Sequence, residues 1–194
     1  MRATLISKRT FFYKNPKLFY DYYKKHLVYP LAYPNSAHNY FSNLERKGKI
    51  KAVVTQNIDN LHQKSGSKNV YELHGSIYRN YCTKCNKFFN LDYILKSEGI
   101  PYCDECGKII KPDVVLYEES LDYDVLNAAI KVIKSSDLFI IVGTSLVVYL
   151  AAGLIRYFMG ENIVLINKQK TQYDDEINLV FNEDIIEVIK ELKK

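Results

Sequence analysis

Four cysteines in two Cys-x2-Cys pairs constrain this chain more than any other feature of its sequence. Cys82 and Cys85 form the first pair, and Cys103 and Cys106 form the second after seventeen intervening residues. This spacing is typical of a zinc site with four cysteine ligands. Four thiolates fill a tetrahedral shell and leave no position for water or substrate, so such a site is structural and not catalytic.

The same cysteines could instead form two disulfides, but that alternative depends on an oxidising compartment. Residues 1–14 contain no apolar core of a secretory signal. We therefore expect a reducing, cytoplasmic setting, in which zinc binding is favoured. Zinc ribbons also occur in nucleic-acid binders, so the cysteines alone do not decide the function.

Length and composition limit the remaining possibilities. The chain has 194 residues, of which 47% are hydrophobic and 25% are charged. We expect one sizeable core with a small insertion, and the high apolar content excludes disorder. The net charge of +5 comes from lysines scattered along the chain. We therefore predict no direct nucleic-acid binding and keep a zinc-ribbon nucleic-acid binder as a minor alternative.

An uncharged stretch from Leu138 to Ile155 approaches the length of a membrane span. Gly143, Thr144 and Ser145 interrupt this stretch after a β-branched run. A buried strand followed by a turn is therefore the favoured interpretation, and we expect no membrane partner.

Two kinds of apolar spacing alternate along the chain. The predicted helices are 17–25, 35–47, 125–134, 147–158 and 184–192, and the predicted strands are 50–55, 70–73, 137–142, 162–166 and 179–181. In the first helix, Leu18, Phe19, Tyr22 and Tyr23 are predicted to face the core. Strands that alternate with helices predict an α/β fold with a doubly wound parallel sheet, into which the small cysteine module is inserted.

Polar side chains directly follow three of the predicted strands. Gln56 to Asn60 follows the first strand, His74 and Gly75 follow the second, and Gly143 to Ser145 follows the third. Open α/β sheets place their ligands at the carboxyl ends of strands. A histidine is more often structural than catalytic, but His74 stands where backbone can approach a ligand. An imidazole there is suited to act as a general base near neutral pH.

In order and spacing, these elements resemble the sirtuin family of NAD-dependent protein deacylases. The segments that carry the resemblance are Thr55–His62, Glu72–Gly75, the two Cys-x2-Cys pairs, Lys111–Val115, Gly143–Leu146 and Ile166–Lys168. The resemblance covers nearly the whole chain. It implies a Rossmann-like NAD-binding domain formed by residues 1–77 and 112–194, a zinc ribbon at residues 78–111, and substrate bound in the cleft between them.

The resemblance also implies a reaction and the residues that carry it. In this family the acyl-lysine oxygen attacks the nicotinamide ribose, nicotinamide leaves, and the products are deacylated lysine and O-acyl-ADP-ribose. His74 matches the general base, while Asn57 and Asp59 match catalytic residues at the nicotinamide pocket. The matched NAD contacts are Gln56, Asn57, Ile58, Asp59, Gly143, Thr144, Ser145, Asn167, Lys168, Gln169 and Ile185, and the matched peptide-binding residues are Val114, Val115, Val147 and Val148.

The sequence departs from the family pattern in three places. The first strand of the family, with its Gly-Ala-Gly phosphate turn, has no match, so we expect weak NAD binding and slow or absent turnover. Leu150 replaces a common proline, and Glu118 replaces a common glycine. The expected function is NAD-dependent deacetylation of acetyl-lysine proteins or peptides, with one structural zinc ion. The alternative is a catalytically silent zinc- and peptide-binding module.

One helix bears on the choice of acyl group. Family members that favour succinyl- or malonyl-lysine carry a Tyr-x-x-Arg pair, of which Tyr20 matches the tyrosine. Tyr23 occupies the position of the arginine, and Lys24 is one residue away. Because the rigid two-pronged contact of an arginine with a carboxylate is absent, we expect a preference for acetyl-lysine.

Overall fold

A computed structural model of the chain describes residues 3–144 and 153–193. Its helices are α1 (Ala3–Ile6), α2 (Arg9–Lys14), α3 (Pro16–His26), α4 (Ser36–Arg46), α5 (Leu61–Lys64), α6 (Leu91–Lys96), α7 (Tyr123–Lys134) and α8 (Ile185–Glu191). Its strands are β1 (Val53–Thr55), β2 (Val70–Glu72), β3 (Gly75–Cys82), β4 (Phe88–Asn90), β5 (Ile110–Val114), β6 (Leu138–Val142), β7 (Asn162–Ile166) and β8 (Leu179–Phe181). The helix predicted at 147–158 falls partly on 145–152, outside the described residues, and residues 153–155 are helical.

Contacts divide the chain into two compact units. The first unit contains the chain up to Tyr33, Val54–Leu61 and Glu72–Asp122. The second unit contains Pro34–Val53, His62–Tyr71 and the chain from Tyr123 onward. The domain boundaries drawn from the sequence, with residues 78–111 as a separate zinc ribbon, remain a prediction.

The first unit is built around aromatic side chains of α2 and α3. Phe12, Phe19, Tyr20 and Tyr23 are each at most 1% exposed, and the rings of Phe12 and Phe19 meet edge to face with centroids 4.9 Å apart. Such pairs add stabilisation beyond the area they bury. The prediction that Leu18 faces the core is wrong, because the turn of α3 directs Tyr20 inward and leaves Leu18 41% exposed.

An antiparallel sheet in the order β4-β3-β5 completes the first unit. Ile77 and Ile110 of this sheet and Ile94 of α6 are buried in the same cluster as the aromatic residues of α2 and α3. The register between β3 and β5 shifts between Ser76 and Asn80, so that β3 has three more residues than β5 over this interval. The cysteine-bearing loops are therefore joined to a hydrophobic core that the first helices supply.

The second unit contains a parallel sheet in the order β6-β7-β8. Leu138 pairs with Asn162 at one end of β6, and Val142 pairs with Ile166 at the other. Parallel pairing requires a crossover between strands, and it is typical of α/β proteins. The predicted α/β class with a parallel sheet is confirmed.

The pairing of β1 with β2 positions the segments that follow them. The amide of Val53 donates to the carbonyl of Asn69 at 2.8 Å, and the amide of Leu73 donates to the carbonyl of Thr55 at 2.9 Å. Residue numbers rise together along the two strands, so the pairing is parallel. Residues 56–60 and 73–75 consequently leave the two strands at the same end of the ladder.

The first residues of the uncharged stretch, Leu138–Val142, form β6. Within residues 3–144 and 153–193, we find no helix with the length and apolar character needed to cross a membrane. A strand is present where residues 137–142 predict one, with bounds of Leu138–Val142. The expectation that it is buried is wrong for the described residues, since only Ile141 is buried while Leu138 is 49% and Val142 is 36% exposed.

Candidate functional site

The four cysteines of the first unit converge on one point. The Sγ atoms of Cys82 and Cys106 lie 3.2 Å apart, those of Cys85 and Cys103 lie 3.6 Å apart, and all four lie within 4.8 Å of one another. Tetrahedral thiolates at the usual Zn–S distance of about 2.3 Å would lie about 3.8 Å from one another. A disulfide would require about 2.05 Å. The cluster therefore fits one zinc ion and not a pair of disulfides.

Two matching turns carry these cysteines. In the first turn, the amide of Asn86 donates to the carbonyl of Cys82 at 3.1 Å. In the second turn, the amide of Gly107 donates to the carbonyl of Cys103 at 2.9 Å. Asn86 and Gly107 share a left-handed backbone with φ of 58° and 68°. Asparagine and glycine are the residues that tolerate this conformation. Both turns thus end on a residue type that lets the chain reverse below the metal ligands.

The thiol of Cys82 is adapted to the charged form that binds metal. Burial raises its pKa, but hydrogen bonds from the backbone amides of Cys85 and Lys84 and from the thiol of Cys106 outweigh that effect and lower the pKa to about 6. A thiolate, and not a thiol, is the metal ligand. The backbone of the turn thus favours the thiolate of Cys82. In the same turn, the hydrogen bond from the Lys87 amide to Cys85 is outweighed by hydrogen bonds with the other three thiols of the cluster and by burial, which raise the pKa of Cys85.

His74 follows β2 in the first unit, and its ring is oriented by backbone. Its Nδ1 atom lies 3.0 Å from the carbonyl oxygen of Gln56. A carbonyl oxygen only accepts hydrogen bonds, so Nδ1 carries a proton, and in the neutral imidazole Nε2 then presents the lone pair. This arrangement gives His74 the tautomer that a general base needs.

The polar loop after β1 is held by its own side chains. The hydroxyl oxygen of Thr55 accepts from the amide of Asn57 at 3.0 Å, and Asp59 Oδ1 accepts from the amide of Leu61 at 3.0 Å. The carbonyl of Ile58 accepts from the amide of Ile77 at 3.1 Å. The structure thus brings the predicted residues of this loop and His74 into one hydrogen-bonded neighbourhood.

Gly75 permits a close approach between β3 and β5. Its φ is +73°, and a Cβ atom built on it would lie 1.9 Å from the carbonyl oxygen of Asp113. No side chain can occupy that space without displacing the backbone of β5. The sequence pattern His-Gly is therefore explained by packing directly beside His74.

The predicted peptide-binding residues of β5 lie at the end of the sheet next to His74. Val114 pairs with Gly75, and the amide of Val115 donates to the carbonyl of His74 at 3.1 Å. Both valines line an open cavity of about 500 Å³ together with Lys111 and Glu119. The other two predicted peptide-binding residues, Val147 and Val148, lie outside the described residues.

Glu118, which also lines that cavity, stands where the family commonly has glycine. Its backbone is left-handed with φ of 77°. Its carboxylate accepts from the amide of Thr10 at 3.0 Å, in the first turn of α2, and contacts Lys8 Nζ at 3.3 Å. The departure from glycine thus adds a cap for α2 at the expense of an unfavourable backbone conformation.

In the second unit, several predicted NAD contacts line a cavity of about 390 Å³. The amide of Gly143 donates to the carbonyl of Ile166 at 2.9 Å, which extends the β6–β7 ladder to the cavity. The predicted residues at this cavity are Gly143, Asn167, Lys168, Gln169 and Ile185. Thr144 is described but is not among the lining residues, and Ser145 lies outside the described residues.

Sequence reasoning missed two acidic residues of this cavity, Glu183 and Asp184. Asp184 accepts from the amide of Ile186 at 2.8 Å and pairs with Lys168 Nζ at 2.9 Å. The signal that could have found them is their position just after β8, since polar residues after a strand marked the other candidates. The predicted Lys168 is thereby held at the cavity by a carboxylate.

Comparison with known proteins decides the family. The model of the Sir2 family matches residues 1–150, which is more than half of the chain. The chain belongs to the Sir2 family. The sirtuin resemblance that the motifs carry is therefore confirmed.

Two curated relatives of this Sir2-family chain bear the name NAD-dependent protein deacetylase. The one from Clostridium acetobutylicum is 54% identical over 182 residues, which is 93% of this chain and 74% of the relative. The one from Clostridium perfringens is 55% identical over 181 residues, with the same shares of 93% and 74%.

Solved Sir2 structures share the fold of this chain. A Sir2 complex with a p53 peptide and NAD⁺ is 40% identical, with a TM-score of 0.91, and the match covers 98% of this chain and 82% of that chain. A complex with the inhibitor EX-527, 2′-O-acetyl-ADP-ribose and deacetylated p53 peptide is 39% identical, with a TM-score of 0.90 and coverage of 96% and 83%. The likeness agrees with the predicted fold class, including the four-cysteine module.

Proposed function

We propose that this Sir2-family chain removes acetyl groups from lysine side chains of proteins or peptides in an NAD-dependent reaction. The observation that carries the proposal is the orientation of His74, whose Nδ1 faces the carbonyl of Gln56 at 3.0 Å and whose Nε2 can accept a proton. Relatives that are 54% and 55% identical and are named NAD-dependent protein deacetylases support it.

Bound NAD would supply an electrophilic ribose carbon, which the acetyl oxygen of the substrate would attack while the bond from that carbon to nicotinamide breaks. His74 Nε2 takes the proton of a ribose hydroxyl, and the Gln56 carbonyl stabilises the imidazolium that results because it remains bonded to Nδ1. The hydrogen bonds that Thr55 and Asp59 make within the loop hold Gln56 in place. The step therefore depends on a rigid backbone acceptor.

We assign the contacts to NAD residue by residue from the family match. Asn57, Ile58 and Asp59 are proposed to bind at the nicotinamide end, with Gln56 at the adjoining ribose. The proposed phosphate and ribose contacts are Gly143, Thr144 and Ser145, and the proposed adenosine contacts are Asn167, Lys168, Gln169 and Ile185. The cavity of about 390 Å³ next to Asn167 supports the adenosine assignment.

The acetylated segment is proposed to add as a strand beside Val114 and Val115, with Val147 and Val148 on its other side. In the described part of the chain, β5 lies at an edge of the sheet β4-β3-β5, and an edge strand can accept a further strand through main-chain hydrogen bonds.

We further propose that residues 78–111 act as a zinc ribbon beside an NAD-binding domain of 1–77 and 112–194, and that the chain works in the cytoplasm without binding nucleic acid directly.

The test is formation of deacetylated peptide from an acetyl-lysine peptide, followed by mass spectrometry. Product is expected only when both NAD and peptide are present, and His74→Ala is expected to abolish it. Absence of product above the level of the His74→Ala variant would overturn the proposal. Peptide binding without product would favour the catalytically silent module instead.

A further inference from the structure

One guanidinium in the first unit bridges two carboxylates. Arg79 Nη1 lies 2.6 Å from Glu72 Oε2, and Arg79 Nε lies 2.7 Å from Asp113 Oδ2. Arg79 belongs to β3, Glu72 ends β2, and Asp113 belongs to β5. Three strands are therefore tied together by one side chain.

Both carboxylates belong to residues that flank His74. Glu72 precedes His74 by two residues, and the backbone of Asp113 lies directly against Gly75, where an added Cβ would be 1.9 Å from its carbonyl oxygen. The amide of Val115, two residues after Asp113, donates to the carbonyl of His74 at 3.1 Å. The chain on either side of the His74 turn is thus fixed to the same guanidinium.

Burial of Glu72 makes its half of the bridge more than a surface ion pair, whereas the side chains of Arg79 and Asp113 are 38% and 41% exposed. The side chain of Glu72 is only 9% exposed, and within the described residues its Oε1 atom is buried without a hydrogen-bond partner. A buried carboxylate that loses its partner is strongly destabilised. The negative charge of Glu72 is therefore compensated by Arg79, and a displacement of the guanidinium would also displace the Glu72 carboxylate.

The chain reaches this geometry where the regular pairing of β3 with β5 is interrupted. The register of β3 against β5 shifts between Ser76 and Asn80, and Arg79 lies within the shifted segment. Interruptions of strand pairing change the direction of a side chain relative to its neighbours and occur often next to active sites. The planar fork of arginine can then meet two carboxylates at once, which the single ammonium of lysine cannot do in a fixed plane.

We propose that Arg79 is a positioning residue for His74. It acts through Glu72 and Asp113, which it holds on both sides of the His74–Gly75 turn so that Nδ1 stays on the Gln56 carbonyl. The kinetic part of this proposal rests on the function proposed above. Arg79 makes its described polar contacts with the two carboxylates, so its role is distinct from that of a catalytic residue.

The kinetic experiment uses Arg79→Met and Arg79→Lys in the full chain, with Lys17→Met as a matched control. Lys17 lies in the same unit and pairs with one carboxylate, Asp21, at 2.9 Å. Arg79→Met is expected to lower kcat for deacetylation on the order of 100-fold, because small misplacement of a reacting group has that effect, with KM nearly unchanged. The kcat of Arg79→Lys is expected to lie between those of Arg79→Met and the unchanged chain. The kcat of Lys17→Met is expected to equal that of the unchanged chain.

A double-mutant comparison separates positioning from general stability. In a Glu72→Gln/Asp113→Asn background the fork has no charged partners, so Arg79→Met is expected to add little further loss of kcat. An equal loss in both backgrounds, or a rise in KM with kcat unchanged, overturns the proposal. If Arg79→Met does not fold, the same comparison is made with Arg79→Lys, whose retained charge protects Glu72 in part.

The second experiment needs no activity. Long-range ¹H–¹⁵N spectra of the imidazole rings, with the His74 signals assigned by their loss in His74→Ala, report which nitrogen carries the proton. The unchanged chain is expected to show His74 protonated at Nδ1, and Arg79→Met to show a mixture of tautomers, while the other three histidines keep their signals. A chain that forms no product refutes the proposed function, and these spectra alone then decide the role of Arg79. Unchanged His74 signals in Arg79→Met would overturn the proposal that Arg79 positions His74.

Discussion

The Nδ1 atom of His74 lies 3.0 Å from the backbone oxygen of Gln56. This pair joins the loop after β1 to the turn after β2, and it uses a backbone acceptor that no side-chain substitution removes. The proton on Nδ1 directs the lone pair of the ring to Nε2. Gln56 and His74, which are eighteen residues apart in sequence, are thereby joined by a contact that orients the imidazole ring.

Replacement of His74 by alanine should lower the rate of deacetylated-peptide formation on the order of 1,000-fold, the usual range for loss of a general base. Exchange of free nicotinamide into NAD should fall less, because the base acts after nicotinamide has left. Radiolabelled nicotinamide exchange and mass spectrometry of the peptide measure the two steps. His26→Ala, which removes an exposed imidazole of the same unit, serves as the control, and equal rates for the two variants would contradict the assignment.

Gly75 and Gly48 allow two contributions to the free energy of unfolding to be separated. One is the steric clash of an added Cβ with a neighbouring strand, and the other is the left-handed backbone conformation. The φ angles of Gly75 and Gly48 are +73° and +70°, but an added Cβ meets Asp113 only at Gly75 and nothing within 4 Å at Gly48. Gly48→Ala should lower the free energy of unfolding by about 1 kcal/mol, and Gly75→Ala by about 3 kcal/mol or more. Urea denaturation gives both values. Equal losses would show that β3 and β5 can separate at no cost.

One zinc ion per chain is expected in the purified protein, by elemental analysis. Substitutions of residues that only support the metal ligands typically weaken metal binding by up to roughly 100-fold. Cys103→Ser removes a ligand itself, so it should weaken zinc binding by more than that. Chelation should abolish the near-ultraviolet dichroism of the first unit, because binding energy at such sites is folding energy. Lys84→Ala is the control, since that exposed side chain lies in the same turn as Cys82 and Cys85. A chain that keeps its dichroism without metal would contradict a structural role.

The cap that Glu118 places on α2 should make stability depend on pH. Its hydrogen bond from the backbone of Thr10, with further contributions from the Thr10 side chain and Lys8, lowers the pKa of Glu118 despite opposing desolvation. A carboxyl with a lowered folded pKa stabilises the fold above its ordinary pKa, and the effect is lost as the pH falls through the folded value.

The difference in Tm between the unchanged chain and Glu118→Gln should therefore shrink from pH 7 to pH 3, by calorimetry. Glu98→Gln, at another exposed glutamate of the first unit, is the matched control. At neutral pH, Glu118→Ala should lower Tm more than Glu118→Gly, because only alanine keeps the unfavourable φ of 77°. A constant Tm difference at all pH values would show that the carboxylate is not the stabilising group.

Acetyl-lysine peptide should be processed at least about tenfold faster than succinyl-lysine peptide, because a buried carboxylate without a partner is costly. Lys24 Nζ, one residue along the chain from the expected arginine position, donates to the carbonyls of Ser97 at 2.5 Å and Gly99 at 3.4 Å. The hydroxyl of Tyr20 donates to the carbonyl of Ile110. Paired kcat/KM measurements test the ratio, and Lys24→Met should leave it unchanged. Faster succinyl hydrolysis would refute the preference.

Local patterns account for what the sequence could predict. The Cys-x2-Cys spacing, the alternation of strands and helices, and the glycine after His74 depend on neighbours a few residues away. Arg79 could not be placed, since the register shift between Ser76 and Asn80 breaks the two-residue period from which its direction would be inferred. Lys24 could not be placed either, because its partners are carbonyls more than seventy residues away.

The two cysteine turns have a consequence for how the metal enters. Each turn reverses on a left-handed residue, Asn86 or Gly107, and carries two of the four sulfurs. An ion captured by one pair raises the effective concentration of the second pair to that of a tethered ligand. Because both turns have this same form, we expect either end of the loop between Cys85 and Cys103 to be able to hold an ion while the other end closes on it.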